Sequence, residues 1–256
     1  MIQYLTPKEI NDTKVRLGPS IPGQHGDGGY VCSSIMLEKS CALFTYGVGG
    51  DIRYEEDYYA KQKKPAYLFD FTVDHPEVPS EGLLFKKEGL GDGDHCKDFL
   101  HHYNQLGITG DVLLKIDIEG NEYDYFSKCD LKNISLITTG IILEVHWLDD
   151  LPHREKFINM MKRLSEFFVL THVHGNNWGG SFDYKVSISK SHFHGYVMPR
   201  VFELSFTNKR FCDYITPNIT TYPMVGLDLP NNANEVNGDY DLSFLPTELT
   251  NDKPVQ

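Results

Sequence analysis

Leu113-Leu-Lys-Ile-Asp-Ile-Glu-Gly-Asn-Glu122 is an apolar run that stops on two carboxylates, Asp117 and Glu119. Residues i and i+2 of a strand share a face, so this spacing points both acids the same way. Ile141-Ile-Leu-Glu-Val-His146 and Val169-Leu-Thr-His-Val-His174 repeat the plan, ending on Glu144 with His146 and on His172 with His174. Three strands that deliver polar side chains at one end predict an open α/β sheet, whose ligands bind outside the carboxyl ends of the strands.

The segments on either side fit that sheet. Residues 41–46 read as a buried strand leading into Gly47-Val-Gly-Gly-Asp51, and residues 52–63 as a helix with acids in its first turns, where the helix dipole favours them. Residues 65–70 and 82–88 are further strands. Residues 95–106 read as a helix, residues 111–117 and 140–147 as the next two strands, and 152–167 as an amphipathic helix with Phe157, Met160, Met161, Leu164 and Phe168 at helical spacing. Alternating strands and helices imply a mostly parallel, helix-covered sheet. Residues 175–199 read as a long Gly, Ser and His connection before a last strand at 200–206.

At 256 residues the chain is expected to be one domain, with a lead-in or lid at 1–40, a core at 41–215 and a surface tail at 216–256. Apolar residues make up 40% and charged residues 23%, and no apolar run approaches the roughly 18 residues of a membrane span. The start lacks the basic-then-apolar plan of a signal peptide, so a cytoplasmic protein is expected. Five scattered cysteines without a C-x-x-C pair argue against a disulfide framework or a structural zinc site. A formal charge of −12 disfavours a nucleic-acid partner and suits a neutral or cationic small ligand.

The glycine turn at 47–50 lets backbone approach a ligand, and Asp70, at the end of the next strand, is placed to accept ribose hydroxyls. A dinucleotide would need a third glycine, and Asp51, Glu55, Glu56 and Asp57 would repel its phosphates. S-adenosylmethionine carries a sulfonium, an ammonium and no phosphate, so the same acids favour it over NAD.

These residues resemble the FkbM-type S-adenosylmethionine-dependent methyltransferases, in the branch that includes the methyltransferase-like 24 proteins. The resemblance rests on four motifs. They are Lys14-Val-Arg-Leu-Gly18 with Asp27-Gly-Gly-Tyr30, Tyr46-Gly-Val-Gly-Gly-Asp-Ile-Arg-Tyr-Glu55 with Tyr67-Leu-Phe-Asp70, Leu114-Lys-Ile-Asp-Ile-Glu-Gly-Asn-Glu122, and His172-Val-His-Gly-Asn-Asn177 with Glu203-Leu-Ser-Phe206. It implies a Rossmann-like class I methyltransferase fold, with a seven-stranded, mostly parallel sheet, an antiparallel last strand and helices on both faces. It also implies O-methylation of a sugar in a glycan or nucleotide-linked saccharide precursor. Phe71-Thr-Val departs from the Pro or Thr-Pro that often follows the acidic residue. Carried over to this chain, Gly47, Gly49 and Asp51 would hold the methionine part of the cofactor and Asp70 the ribose. The turn from Glu88 to Asp92 would hold the adenine, and Asp117 would face the sulfonium or the acceptor.

Methyl transfer to a hydroxyl needs alignment and a base. His146, His172 and His174 are candidates by their ordinary pKa, with Glu119 or Glu144 orienting or replacing one; Asp117, Glu119, His146 and His174 form the expected catalytic set. Asp117, Glu144 and His174 could also hold a divalent ion. The segment 178–198, with Tyr184, His192, His194 and Tyr196, is expected to cover the acceptor, and Asp27-Gly-Gly-Tyr30 to close the other side. A homo-oligomer is compatible with all of this. The rival readings are a metal-dependent hydrolase built on the Asp, Glu and His cluster, and a non-catalytic nucleoside-binding module.

Overall fold

The computed structural model describes residues 1–74, 81–189, 192–235 and 238–246. One sheet contains β1 (Ala42–Tyr46), β2 (Ala66–Phe69), β3 (Leu83–Lys86), β4 (Val112–Ile116), β5 (Thr138–Val145), β6 (Phe168–Ser189) and β7 (His192–Asn208). Their order is β6-β7-β5-β4-β1-β2-β3, parallel throughout except that β7 runs against both β5 and β6. Every residue of β1, β4 and β5 is buried, which is why these strands read as mainly apolar runs, with Lys115 and Glu144 the charged exceptions. The chain moves outward from β1 to β3 and then crosses back to β4. The strand order therefore reverses between β1 and β4, and a crevice opens there at the carboxyl ends.

Helices α1 (Arg53–Gln62), α2 (Phe99–Gln105), α3 (Glu122–Lys128) and α4 (Leu151–Phe167) accompany the sheet. The helix expected from 95 starts at Phe99, because Cys96 and Lys97 pair with Gly89 and Leu90 and the Asp98 carboxylate caps the helix at the Leu100 N–H. In α4, Phe157, Met160, Met161 and Leu164 are buried as their spacing predicts, while Phe168 begins β6.

Two apolar layers enclose the sheet. One joins Phe44, Phe69, Leu114 and Leu143 to Phe99, Phe126, Phe157 and Leu164. The other joins Leu43, Leu68, Leu113 and Ile142 to Tyr54, Tyr58, Leu17, Tyr30, Met36 and Leu37. The N-terminal stretch, expected as a lid or edge, thus packs into the second layer through a hairpin of Lys14–Leu17 with Tyr30–Ser33. The C-terminal stretch folds back similarly, with Tyr222, Leu242 and Leu245 buried in the first layer.

Residues 175–189 and 192–199 correct the sequence reading: they are strand, with β6 and β7 paired from Phe168 and Asn208 out to Ser189 and His192. The period-2 signal is present in Phe182, Tyr184 and Val186, half-buried between exposed Ser181, Asp183 and Lys185, but the glycines at 179 and 180 mask it. Those glycines occupy a register shift, where Gly180 takes φ +73°. Among the described residues, no helix is long and apolar enough to cross a membrane.

Candidate functional site

A cleft of about 1050 Å³ lies over the crevice between β1 and β4. Gly47, at φ +80°, forms its floor: a Cβ there would lie 1.5 Å from the Asp117 carbonyl oxygen, so the two strand ends touch backbone to backbone. Cβ atoms on Gly49 or Gly50 would meet nothing within 4 Å, which leaves the turn open to a ligand.

Asp70, beyond the end of β2, holds this turn. Its Oδ2 accepts the Val48 and Gly49 N–H groups at 3.0 and 2.9 Å, and its Oδ1 accepts the Thr72 N–H and hydroxyl at 2.8 and 2.6 Å. Burial acts to raise its pKa, but those bonds outweigh it and hold the carboxyl below its ordinary value. Asp51 pairs with Arg53, which lowers its pKa against burial, and its Oδ2 packs against Gly28.

Across the cleft stands a group of buried charges. The strand expected to reach Asp117 ends at Ile116, so Asp117 and Glu119 lie on the following turn, where Glu119 and Gly120 take φ +55° and +94°. They converge nonetheless: His146 Nε2 lies 3.7 Å from Asp117, 3.6 Å from Glu119 and 3.5 Å from Glu144. Its Nδ1 faces Glu122 at 3.4 Å. Burial lowers the imidazole pKa, but Glu122 and Glu144 overcome it and push it up to about 11, so the ring is cationic at neutral pH. Tyr30 donates to Glu144 at 2.8 Å and lies 3.4 Å from Asp117. Burial and then Glu144 raise the Asp117 pKa well above its ordinary value. Lys115 lines the cleft under Tyr30, with Nζ 5.0 Å from the ring centroid and 3.6 Å from Glu55.

The two histidines of β6 go elsewhere. His172 Nε2 meets Asp228 at 2.8 Å, and His174 is held between Glu203 and Asp239, each at 2.9 Å. Glu203 and Asp239 raise the His174 pKa well above its ordinary value despite burial. Neither histidine lines the cleft. Asp117, Glu144 and His174 are therefore not assembled as a ligand set; among the described residues, the trio whose ligand atoms converge is Asp117, Glu122 and His146.

Gly47, Gly49, Asp51, Asp70, Asp92 and Asp117 all line the cleft, with Asp92 paired to Lys128 at 3.0 Å. Glu88 does not: its carboxylate contacts Lys86 at 2.8 Å and His102 at 3.0 Å, and His102 continues to the Tyr46 hydroxyl at 2.9 Å. From the segment expected to cover the acceptor, Trp178 and Gly179 reach the cleft, while Tyr184, His194 and Tyr196 do not. Tyr196 instead packs against Phe244 with the rings tilted, and the His192 side chain lies outside the described residues. Asp27, Gly28 and Tyr30 line the cleft as well.

The spacing argument missed Glu122, Lys115, Asn176 and Trp147. Asn176 donates to Glu144 at 3.1 Å, and Trp147 takes φ +60° beside Gly120. Lys115 and Glu122 stood inside the quoted motif; the strand period sets Lys115 on the face of Asp117 without assigning it a task, and Glu122 starts a helix beyond the reach of that period. Carboxylates dominate the lining, against Lys115, Lys128 and His146.

Residues 24–168 match the family model of the methyltransferase FkbM domain. No curated protein matches the chain. Among solved structures, the chain is similar to the fibrillarin pre-rRNA processing protein of Methanococcus jannaschii, at 11% identity and a TM-score of 0.39 over 68% of this chain and 69% of that one. It is also similar to precorrin-6y C5,15-methyltransferase of Geobacter metallireducens, at 7% identity and a TM-score of 0.35 over 68% and 82%.

Proposed function

The chain belongs to the FkbM methyltransferase family, whose cofactor is S-adenosylmethionine, and we propose that it methylates a hydroxyl group of a saccharide. The observation that carries this reading is one cleft with an open glycine turn and Asp70 on one wall, and a carboxylate–imidazole cluster on the other. The acidic lining suits a cationic cofactor and leaves no phosphate site at the glycine turn.

In this reading Gly47 and Gly49 lie against the methionine part of the cofactor, beside Asp51. Asp70, its oxygens taken by Val48, Gly49 and Thr72, shapes the turn along which the ribose lies, and Asp92 borders the adenine. When bound, S-adenosylmethionine supplies an activated methyl group on a sulfonium. Transfer of that methyl to a hydroxyl oxygen would release a neutral thioether and one proton. The protein must align the acceptor and take its proton. Asp117, with Oδ1 free of hydrogen bonds, and Glu119, open to the cleft, serve as proton acceptors, and cationic His146 orients both.

Two exposed indoles on the rim, Trp147 and Trp178, offer flat faces to a sugar ring. The acidic walls favour an uncharged sugar at the reacting end, so a diphosphate link would project away from the cluster. His174 and Glu144 act by position: Glu144 holds Tyr30 and Asn176, and His174 fixes Glu203 beside it. The test is thermal unfolding and calorimetry with S-adenosylhomocysteine and NAD, followed by methyl transfer to a saccharide panel. Binding of S-adenosylhomocysteine but not NAD, with methyl ether formation on a neutral sugar, is expected. Transfer to nitrogen or carbon acceptors alone would overturn the proposed acceptor.

A further inference from the structure

We propose that Asp117, Glu122 and His146 bind a divalent cation in the wall of the cleft. The trio comes from three separate places, beyond β4, at the start of α3 and beyond β5, yet one ligand atom from each lies within 4.8 Å of the other two. Each also carries a buried atom with no hydrogen-bond partner: Asp117 Oδ1, Glu122 Oε2 and His146 Nδ1. Glu122 is fully buried and His146 is 4% exposed, so water does not ordinarily satisfy them.

The spacings fit shared ligation better than direct bonding. Glu122 stands 3.4 Å from Nδ1 of His146 and Asp117 3.7 Å from Nε2, each longer than a good N–H···O bond; one ion would use one of these nitrogens, so one of the two distances is a ligand-pair spacing. Two ligands each about 2.1 Å from one ion at a tetrahedral angle lie about 3.4 Å apart. When the ion displaces the His146 proton, two carboxylates with one neutral imidazole form a mixed oxygen–nitrogen set, suited to Mn²⁺ or Zn²⁺ more than to Ca²⁺, and the ion takes over the counter-charge that the imidazolium otherwise supplies. Glu119 and Glu144, at 3.6 and 3.5 Å from His146, add further negative charge around the ion.

Asp117 and His146 line the cleft and Glu122 lies behind them, so three protein ligands leave coordination positions facing the acceptor. There the ion would bind the acceptor hydroxyl and make its proton easier to lose. This role rests on the methyltransferase reading; the ion site itself does not.

The probe is Mn²⁺ titrated into chelator-treated protein, with free Mn²⁺ followed by electron paramagnetic resonance. One ion per chain is expected. Glu122→Gln and His146→Gln should each weaken it at least tenfold, and Glu88→Gln should leave it unchanged. Thermal unfolding checks that the variants fold. Should neither fold, paramagnetic broadening in the wild-type protein decides: the His146 ring signals should broaden before those of His174. Absence of Mn²⁺ binding, unchanged affinity in both variants, or broadening of His174 first would overturn the site. S-adenosylhomocysteine binding without Mn²⁺ binding would sink the ion site alone; Mn²⁺ binding without S-adenosylhomocysteine binding would sink the methyltransferase reading and leave the ion site.

Discussion

Replacing Asp70 with alanine removes a carboxylate that accepts four hydrogen bonds, two from the glycine turn and two from Thr72. A hydrogen bond to a charged group contributes about 1.5–3 kcal/mol, and a buried donor left without a partner costs about 1–3 kcal/mol. Gly49 and Thr72 are exposed and can recruit water, whereas Val48 is 5% exposed. Counting the Val48 bond and about one other, Asp70→Ala should destabilise the protein by about 3–5 kcal/mol. Asp70→Asn keeps one accepting oxygen and turns an amide NH₂ toward the remaining donors, so about half that loss is expected. Because its folded pKa is lowered, Asp70 contributes stability above its ordinary pKa that is lost as pH falls toward the folded value. The alanine variant should therefore show a shallower acid limb. Urea unfolding between pH 3 and 7 measures the stability, and calorimetry with S-adenosylhomocysteine the binding. A stability loss under about 0.5 kcal/mol, the ordinary scatter of surface substitutions, would refute the turn-holding role. Unchanged cofactor affinity in a folded Asp70→Ala protein would refute the ribose role.

Gly47→Ala should abolish cofactor binding and destabilise the fold severely, since its Cβ overlaps the Asp117 carbonyl and its φ of +80° disfavours an L-residue; calorimetry and thermal unfolding check it. Lys115→Met should cost about 3–5 kcal/mol by leaving Glu55 buried without its cation. Lys115→Met with Glu55→Gln should recover part of that loss in a double-mutant cycle by urea unfolding. His174 has a raised folded pKa, so its stabilisation is full below the ordinary value near 6.5 and lost as pH rises through the folded one; His174→Gln should flatten the alkaline decline in stability. Asp228 has a folded pKa lowered to about 2 by His172 against burial. Its contribution is present above the ordinary carboxyl value and lost as pH falls toward 2, and Asp228→Asn should weaken that dependence in the same unfolding series.

The parts legible in the sequence were those governed by near neighbours. Mainly apolar runs marked β1, β4 and β5, and the turn at Gly47 and the acid at Asp70 followed from strand ends about twenty residues apart. Period-2 reasoning brought Asp117, Glu119, Glu144 and His146 together, although Asp117 and Glu119 converge through a turn with positive φ rather than through a shared strand face. The same reasoning gave His172 and His174 equal standing with His146, and the structure separates them. Their strand lies two places from β5 across the antiparallel β7, where Asp228 holds His172 Nε2 and Glu203 and Asp239 hold the two nitrogens of His174.

The sequence by itself determined the central strands, where the chain turns on glycine, and that acids crowd the strand ends, because strand periodicity and backbone freedom are local properties. Only the tertiary structure decided which of those acids share a cation. The order of strands in the sheet brought Glu122 behind His146, and the folded-back C-terminal stretch closed over His172 and His174. Electrostatic partnership depends on distances of a few ångströms between segments far apart in the chain, and no spacing along one segment encodes those distances.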